Sequence, residues 1–64
     1  MTKETAEALT AVAHHTNKAL RSARAARKAT TEPGRKIMLG GKMKGYTETL
    51  CFLRDRWGVV PPQI

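Results

Sequence analysis

Sixty-four residues with a single cysteine make one domain at most, without an internal disulfide and short of the core that larger chains build. Twelve Lys and Arg against five Asp and Glu leave a formal net charge of +7, which favours polyanionic partners, nucleic acid first and acidic protein surfaces second. No apolar run approaches the roughly 20 residues of a membrane span, and Met1-Thr2-Lys3-Glu4-Thr5 lacks the apolar stretch of a secretory signal. The expectation is a cytoplasmic protein with no membrane partner, and the lone Cys51 fits a reducing compartment.

In chain order, the first element is a long helix over about residues 3–30. Thr5, Leu9, Val12, Thr16, Ala19, Ala23, Ala26 and Thr30 recur at spacings of four and three, a seam of mostly small side chains that Leu20 widens. Neither Gly nor Pro interrupts the stretch from Thr2 to Glu32, and alanine has the best helix propensity. Thr2 is the expected N-cap, with Glu4 and Glu7 placed favourably against the helix dipole. A turn over residues 31–34 follows, where Pro33 ends the first helix and is compatible with the first turn of a second. Thr31 is the expected cap of that second helix.

The second helix is expected over about residues 35–57, with a seam of large side chains at Leu39, Met43, Tyr46, Leu50, Leu53 and Trp57. Gly40, Gly41 and Gly45 complicate it, since each costs about 1 kcal/mol against alanine in a helix interior. Either the helix begins only at Lys42, or it runs through, with Gly41 and Gly45 facing the alanine-rich helix so that the backbones approach closely. The heptad through Leu39 and Met43 crosses the glycines without slipping, which favours the continuous helix. Gly58 supplies the left-handed stop, Val59 is placed to pack back on Leu53, and Val60-Pro61-Pro62 opens an extended tail over 58–64.

These elements predict an all-α, two-helix antiparallel hairpin, because a short connection returns the chain along itself. A hairpin with an alanine-lined helix has a thin core. The expectation is therefore a homodimer, two hairpins forming a four-helix bundle around Leu9, Val12, Leu20 and the large seam of the second helix.

Charge is distributed unevenly. Nine of the twelve basic residues lie between Lys18 and Lys44: Lys18, Arg21, Arg24, Arg27, Lys28, Arg35, Lys36, Lys42 and Lys44. Only Glu32 opposes them, so this half carries +8, while the rest of the chain carries −1. At about 100° per residue, Lys18, Arg21, Arg24 and Lys28 span roughly 120° on the side of the first helix away from its seam. Arg27 falls nearer the seam, where its aliphatic stem can lie along apolar surface. Solvated faces normally interleave the two signs. A basic stretch relieved by one carboxylate is costly unless an anion compensates it.

Catalysis is not expected. His14 and His15 are adjacent, so their rings diverge by about 100° on a helix and cannot share a metal. Cys51 has the character of a small core hydrophobe, and no carboxylate pair is placed for acid–base chemistry. Gly40-Gly41-Lys42-Met43-Lys44-Gly45 lacks the spacing and the Lys-Ser/Thr ending of a phosphate-binding loop. No metal or cofactor is implied. Two functions remain. One is a nucleic-acid-binding hairpin that contacts the phosphate backbone of duplex DNA or structured RNA with low sequence specificity. The other is a small adaptor or inhibitor that docks its basic tip or its tail on an acidic protein surface. Tyr46, Phe52 and Trp57 are the only aromatic residues and lie outside the most basic stretch, which argues against base stacking.

Overall fold

The computed structural model describes residues 1–61 and contains two helices, α1 (Lys3–Ala29) and α2 (Pro33–Trp57), packed against each other as a hairpin. Its extents are 45 × 21 × 14 Å, the shape of two helices laid side by side. Pro62, Gln63 and Ile64, the end of the expected extended tail, lie outside the described residues.

Each end of α1 is satisfied locally. The Thr5 amide donates to Thr2 Oγ1 at 3.1 Å and the Ala6 amide to the Thr2 carbonyl at 2.9 Å, so the expected N-cap is present. Glu4 lies in the first turn and Arg27 and Lys28 in the last, the signs that complement a helix dipole. At the other end, the Thr30 amide donates to the Ala26 carbonyl at 3.1 Å.

The connection is shorter than the 31–34 turn read from sequence. Only residues 30–32 separate the helices, and α2 begins at Pro33. Thr31 is not its cap. That position belongs to Glu32, whose extended backbone (φ −78°, ψ 119°) is the conformation a following proline imposes. The Glu32 side chain makes no capping hydrogen bond. Its amide instead donates to Thr30 Oγ1 at 3.3 Å, which braces the turn.

α2 runs unbroken through the glycine segment, as the heptad spacing led one to expect, but without the close helix approach expected at Gly41 and Gly45. A β-carbon at either of those positions would meet open space. Gly40 is the one glycine of the three beside a neighbouring element: a β-carbon there would stand 3.8 Å from Arg27 Nε. At its C-terminus α2 stops as expected. Gly58 adopts φ 66°, ψ 21° and its amide donates to the Arg54 carbonyl at 2.9 Å. The Val59 amide donates to the Leu53 carbonyl at 3.2 Å, folding Val59 onto the hairpin.

The core is thin. Ala13, Leu53 and Val59 form a buried cluster with Leu9 and Leu50 against it, and Leu20, Ala23 and Leu39 are buried nearer the turn. No large side chain among the described residues is fully enclosed. On α1 the buried line runs Leu9, Ala13, Thr16, Leu20, Ala23, again in fours and threes, but one residue out of phase with the expected seam at two places. Ala13 replaces Val12 and Leu20 replaces Ala19 as the inward positions. The choice is physical: burying a leucine is worth about 1.5–3 kcal/mol, far more than burying an alanine methyl. Val12 is consequently 48% exposed. On α2 Met43, Tyr46 and Leu50 are half-buried. Trp57 lies outside the hairpin core at 45% exposure, because Val59, carried back by the Gly58 turn, closes the end of the core beside Leu53.

Candidate functional site

The phase of the α1 seam decides where the arginines go. Continuing the buried line from Ala23 by four residues reaches Arg27. Arg27 stays exposed there, and its Nε is 3.8 Å from the place a β-carbon at Gly40 would take, an ordinary contact distance. Arg24 and Lys28, one helical turn apart, flank it on the same side. Lys36 and Met43, seven residues apart on α2, close the opposite wall. The result is a shallow cleft of about 290 Å³ lined by Arg24, Arg27, Lys28, Lys36 and Met43.

Of the nine cations singled out in the sequence, four therefore converge and five do not. Lys42 lines a separate groove of about 280 Å³ on the other side of the hairpin, with Ala19, Ser22, Ala23, Ala26, Leu39 and Tyr46. Lys18, Arg21, Arg35 and Lys44 are exposed and line neither cleft. They widen the positive field around the turn without entering the cleft. Met43, read from sequence as a core residue, was missed as part of the site. The signal for the cleft was present in the seven-residue step from Leu20 to Arg27, which places Arg27 in register with the buried line once Leu20 is taken as inward.

Among the described residues the one ion pair is Arg54–Asp55, with Nε donating to Oδ1 at 3.0 Å. It lies at the terminal end, on exposed side chains. The hydrogen bond and the charge of Asp55 both raise the Arg54 pKa further above its ordinary value. The basic half contains no such pair: Glu32, its lone carboxylate, makes none. Arg35 and Lys36 stand near the start of α2, where the helix dipole already presents positive potential and where the nearest carboxylate, the N-cap Glu32, forms no ion pair with them. Arg24, Arg27 and Lys28 add like charges at spacings of three and four, an arrangement that destabilises a helix surface by a few tenths of a kcal/mol per pair.

Elsewhere among the described residues, no three His, Cys, Asp or Glu side chains converge as metal ligands, and no helix is long and apolar enough to cross a membrane. Set against protein-family models, curated proteins and solved structures, the chain gives no match.

Proposed function

We propose that this chain binds the phosphate backbone of duplex DNA or structured RNA through the basic turn end of the hairpin, and that it does so as a homodimer. The observation that carries this reading is the convergence of Arg24, Arg27, Lys28 and Lys36 on one cleft that no carboxylate neutralises. Arginine forks match phosphate oxygens in pairs, and Met43 supplies an apolar wall against which a sugar can rest. Backbone contact suits the residues available, because no aromatic side chain lines the cleft and base stacking needs one. Low sequence specificity follows, since phosphate contacts position a protein on nucleic acid without reading bases.

Dimerisation is supported by the thin core, in which no large side chain is enclosed while Val12, Ile37, Met38, Phe52 and Trp57 stay substantially exposed. A labelled duplex titrated by fluorescence anisotropy at fixed salt tests the binding. Replacing Arg24, Arg27 and Lys28 together by Gln is expected to weaken it at least tenfold. Replacing Lys3 and Arg56 at the terminal end is expected to change it less than threefold. Equal losses in the two variants would refute a binding surface located at the turn.

A further inference from the structure

α1 carries a set of hydrogen-bond donors on one line. Lys28, Arg24, Arg21, Asn17 and His14 follow one another at steps of three and four residues. That spacing keeps all five within a sector about 80° wide over roughly 21 Å of helix. Arg24 and Lys28 are the α1 wall of the basic cleft, so the other three carry the cleft's side of the hairpin away from the turn. No carboxylate interrupts them. The stretch from Thr10 to Ala29 contains none, and the first acidic side chain met beyond His14 is Glu7. On α2 the same side runs from Lys36 and Met43 through Thr47 to Arg54, which Asp55 neutralises. Glu48 lies about 120° around α2 from Lys36, away from this side. Three cations of the basic half also face elsewhere. Lys42 lines the groove on the other side of the hairpin, and Arg35, seven residues before it, shares that edge. Lys44 lies about 80° around α2 from Lys36, turned away from α1.

We infer that the duplex lies lengthwise along this side of α1 instead of against the tip of the hairpin, and that Arg21 and Asn17 contact phosphates beyond the cleft. The inference rests on the phosphate-binding reading above and specifies its geometry. Shape and charge both select the lengthwise placement. The tip presents the 21 × 14 Å cross-section of two helices, too broad for a major groove about 12 Å wide. Set end-on, it would meet phosphates with Lys28, Arg35 and Lys36 and leave Arg21 and Asn17 unused. Along α1, successive donors stand about 4.5–6 Å apart on the helix axis. One strand presents a phosphate about every 3.4 Å of its own axis, so every donor of the line has a phosphate within reach. The absence of carboxylates over the same length makes the surface complementary to a polyanion throughout. Asn17, half-buried between Ala13 and Arg21 one turn away on either side, adds an uncharged N–H donor of the kind that fixes register on a nucleic-acid backbone.

The test titrates a labelled DNA duplex with the full chain by fluorescence anisotropy and compares charge-matched changes on the two sides. Arg21→Gln is expected to weaken binding about fivefold and to lower the slope of log affinity against log salt by about 0.9. Asn17→Asp, which sets a carboxylate into the line, is expected to weaken it by at least the same factor. On the other side, Arg35→Gln, Lys42→Gln and Thr49→Asp, Thr49 standing seven residues beyond Lys42, are each expected to change affinity less than twofold. Circular dichroism is expected to show the same helix content in all five variants. Losses from Arg35→Gln and Lys42→Gln as large as that from Arg21→Gln would overturn the lengthwise placement and leave phosphate binding standing. A loss from Asn17→Asp no larger than that from Thr49→Asp would overturn the extension beyond the cleft. Failure of the unsubstituted chain to bind the duplex would overturn the phosphate-binding reading, and the inference with it.

Discussion

The terminal half and the turn half of this hairpin are built on opposite principles. Around Ala13, Leu53 and Val59 the chain collects its tightest apolar cluster, its ion pair and a glycine stop, Gly58, whose hydrogen bonds return the tail to the helix. Around the turn it collects eight net positive charges, an N-cap without a capping side chain, and three glycines in a helix interior. Both halves bury apolar side chains between the helices, Leu20, Ala23 and Leu39 in the turn half and Ala13, Leu53 and Val59 in the terminal half. The turn half adds like charge and interior glycines to that packing. Unbalanced charge and the contiguous apolar cluster are thus separated along the long axis.

The contrast between the two halves is most sensitive to Leu53. Leu53→Ala empties the terminal cluster and is expected to cost about 2–5 kcal/mol, against a total stability of about 3–10 kcal/mol for a domain of this size. Thermal unfolding by circular dichroism should show a largely melted chain at room temperature, whereas a Leu39→Ala variant in the turn half should lose less. A smaller effect is expected at the helix stop. Gly58 has a φ of 66°, so Gly58→Ala carries a left-handed strain of about 1–2 kcal/mol, measurable as a lowered urea midpoint. The turn half should respond in the other direction. Gly41→Ala adds a methyl group that meets open space, and a gain of about 1 kcal/mol in helix stability is expected, read as a raised melting temperature. Smallest of the four, the Arg24, Arg27 and Lys28 triple change to Gln should stabilise the free hairpin by a few tenths of a kcal/mol at low salt, a gain that vanishes as salt screens the charges.

Much of this division was legible in the residues. The Leu39-Met43-Tyr46-Leu50-Leu53 spacing gave the inward side of α2, Gly58 and Val59 gave its end, and the clustering of cations between Lys18 and Lys44 gave the polarity. What could not be read was the phase of α1. With alanine at positions 13, 19, 23 and 26, two seams differing by one residue are nearly equal in hydrophobicity. The choice between them is made by how Leu20 packs against α2, a tertiary effect. That one-residue ambiguity carried the rest with it. It put Val12 outside the core and placed Arg27 in angular register with the buried line. The cap at Glu32 was hidden for a different reason, since Thr31 has the better capping side chain but Pro33 fixes the backbone one residue later.

If the cations around the turn cleft meet phosphate, as proposed, the salt dependence of duplex binding must reflect their number. Each phosphate contact adds about 0.9 to the slope of log affinity against log salt. The Arg24, Arg27 and Lys28 triple change to Gln is therefore expected to flatten the slope by about 2.7 for each cleft engaged. A slope equal to that of the unsubstituted chain would contradict the account, because those three side chains would then be neutralising no phosphate.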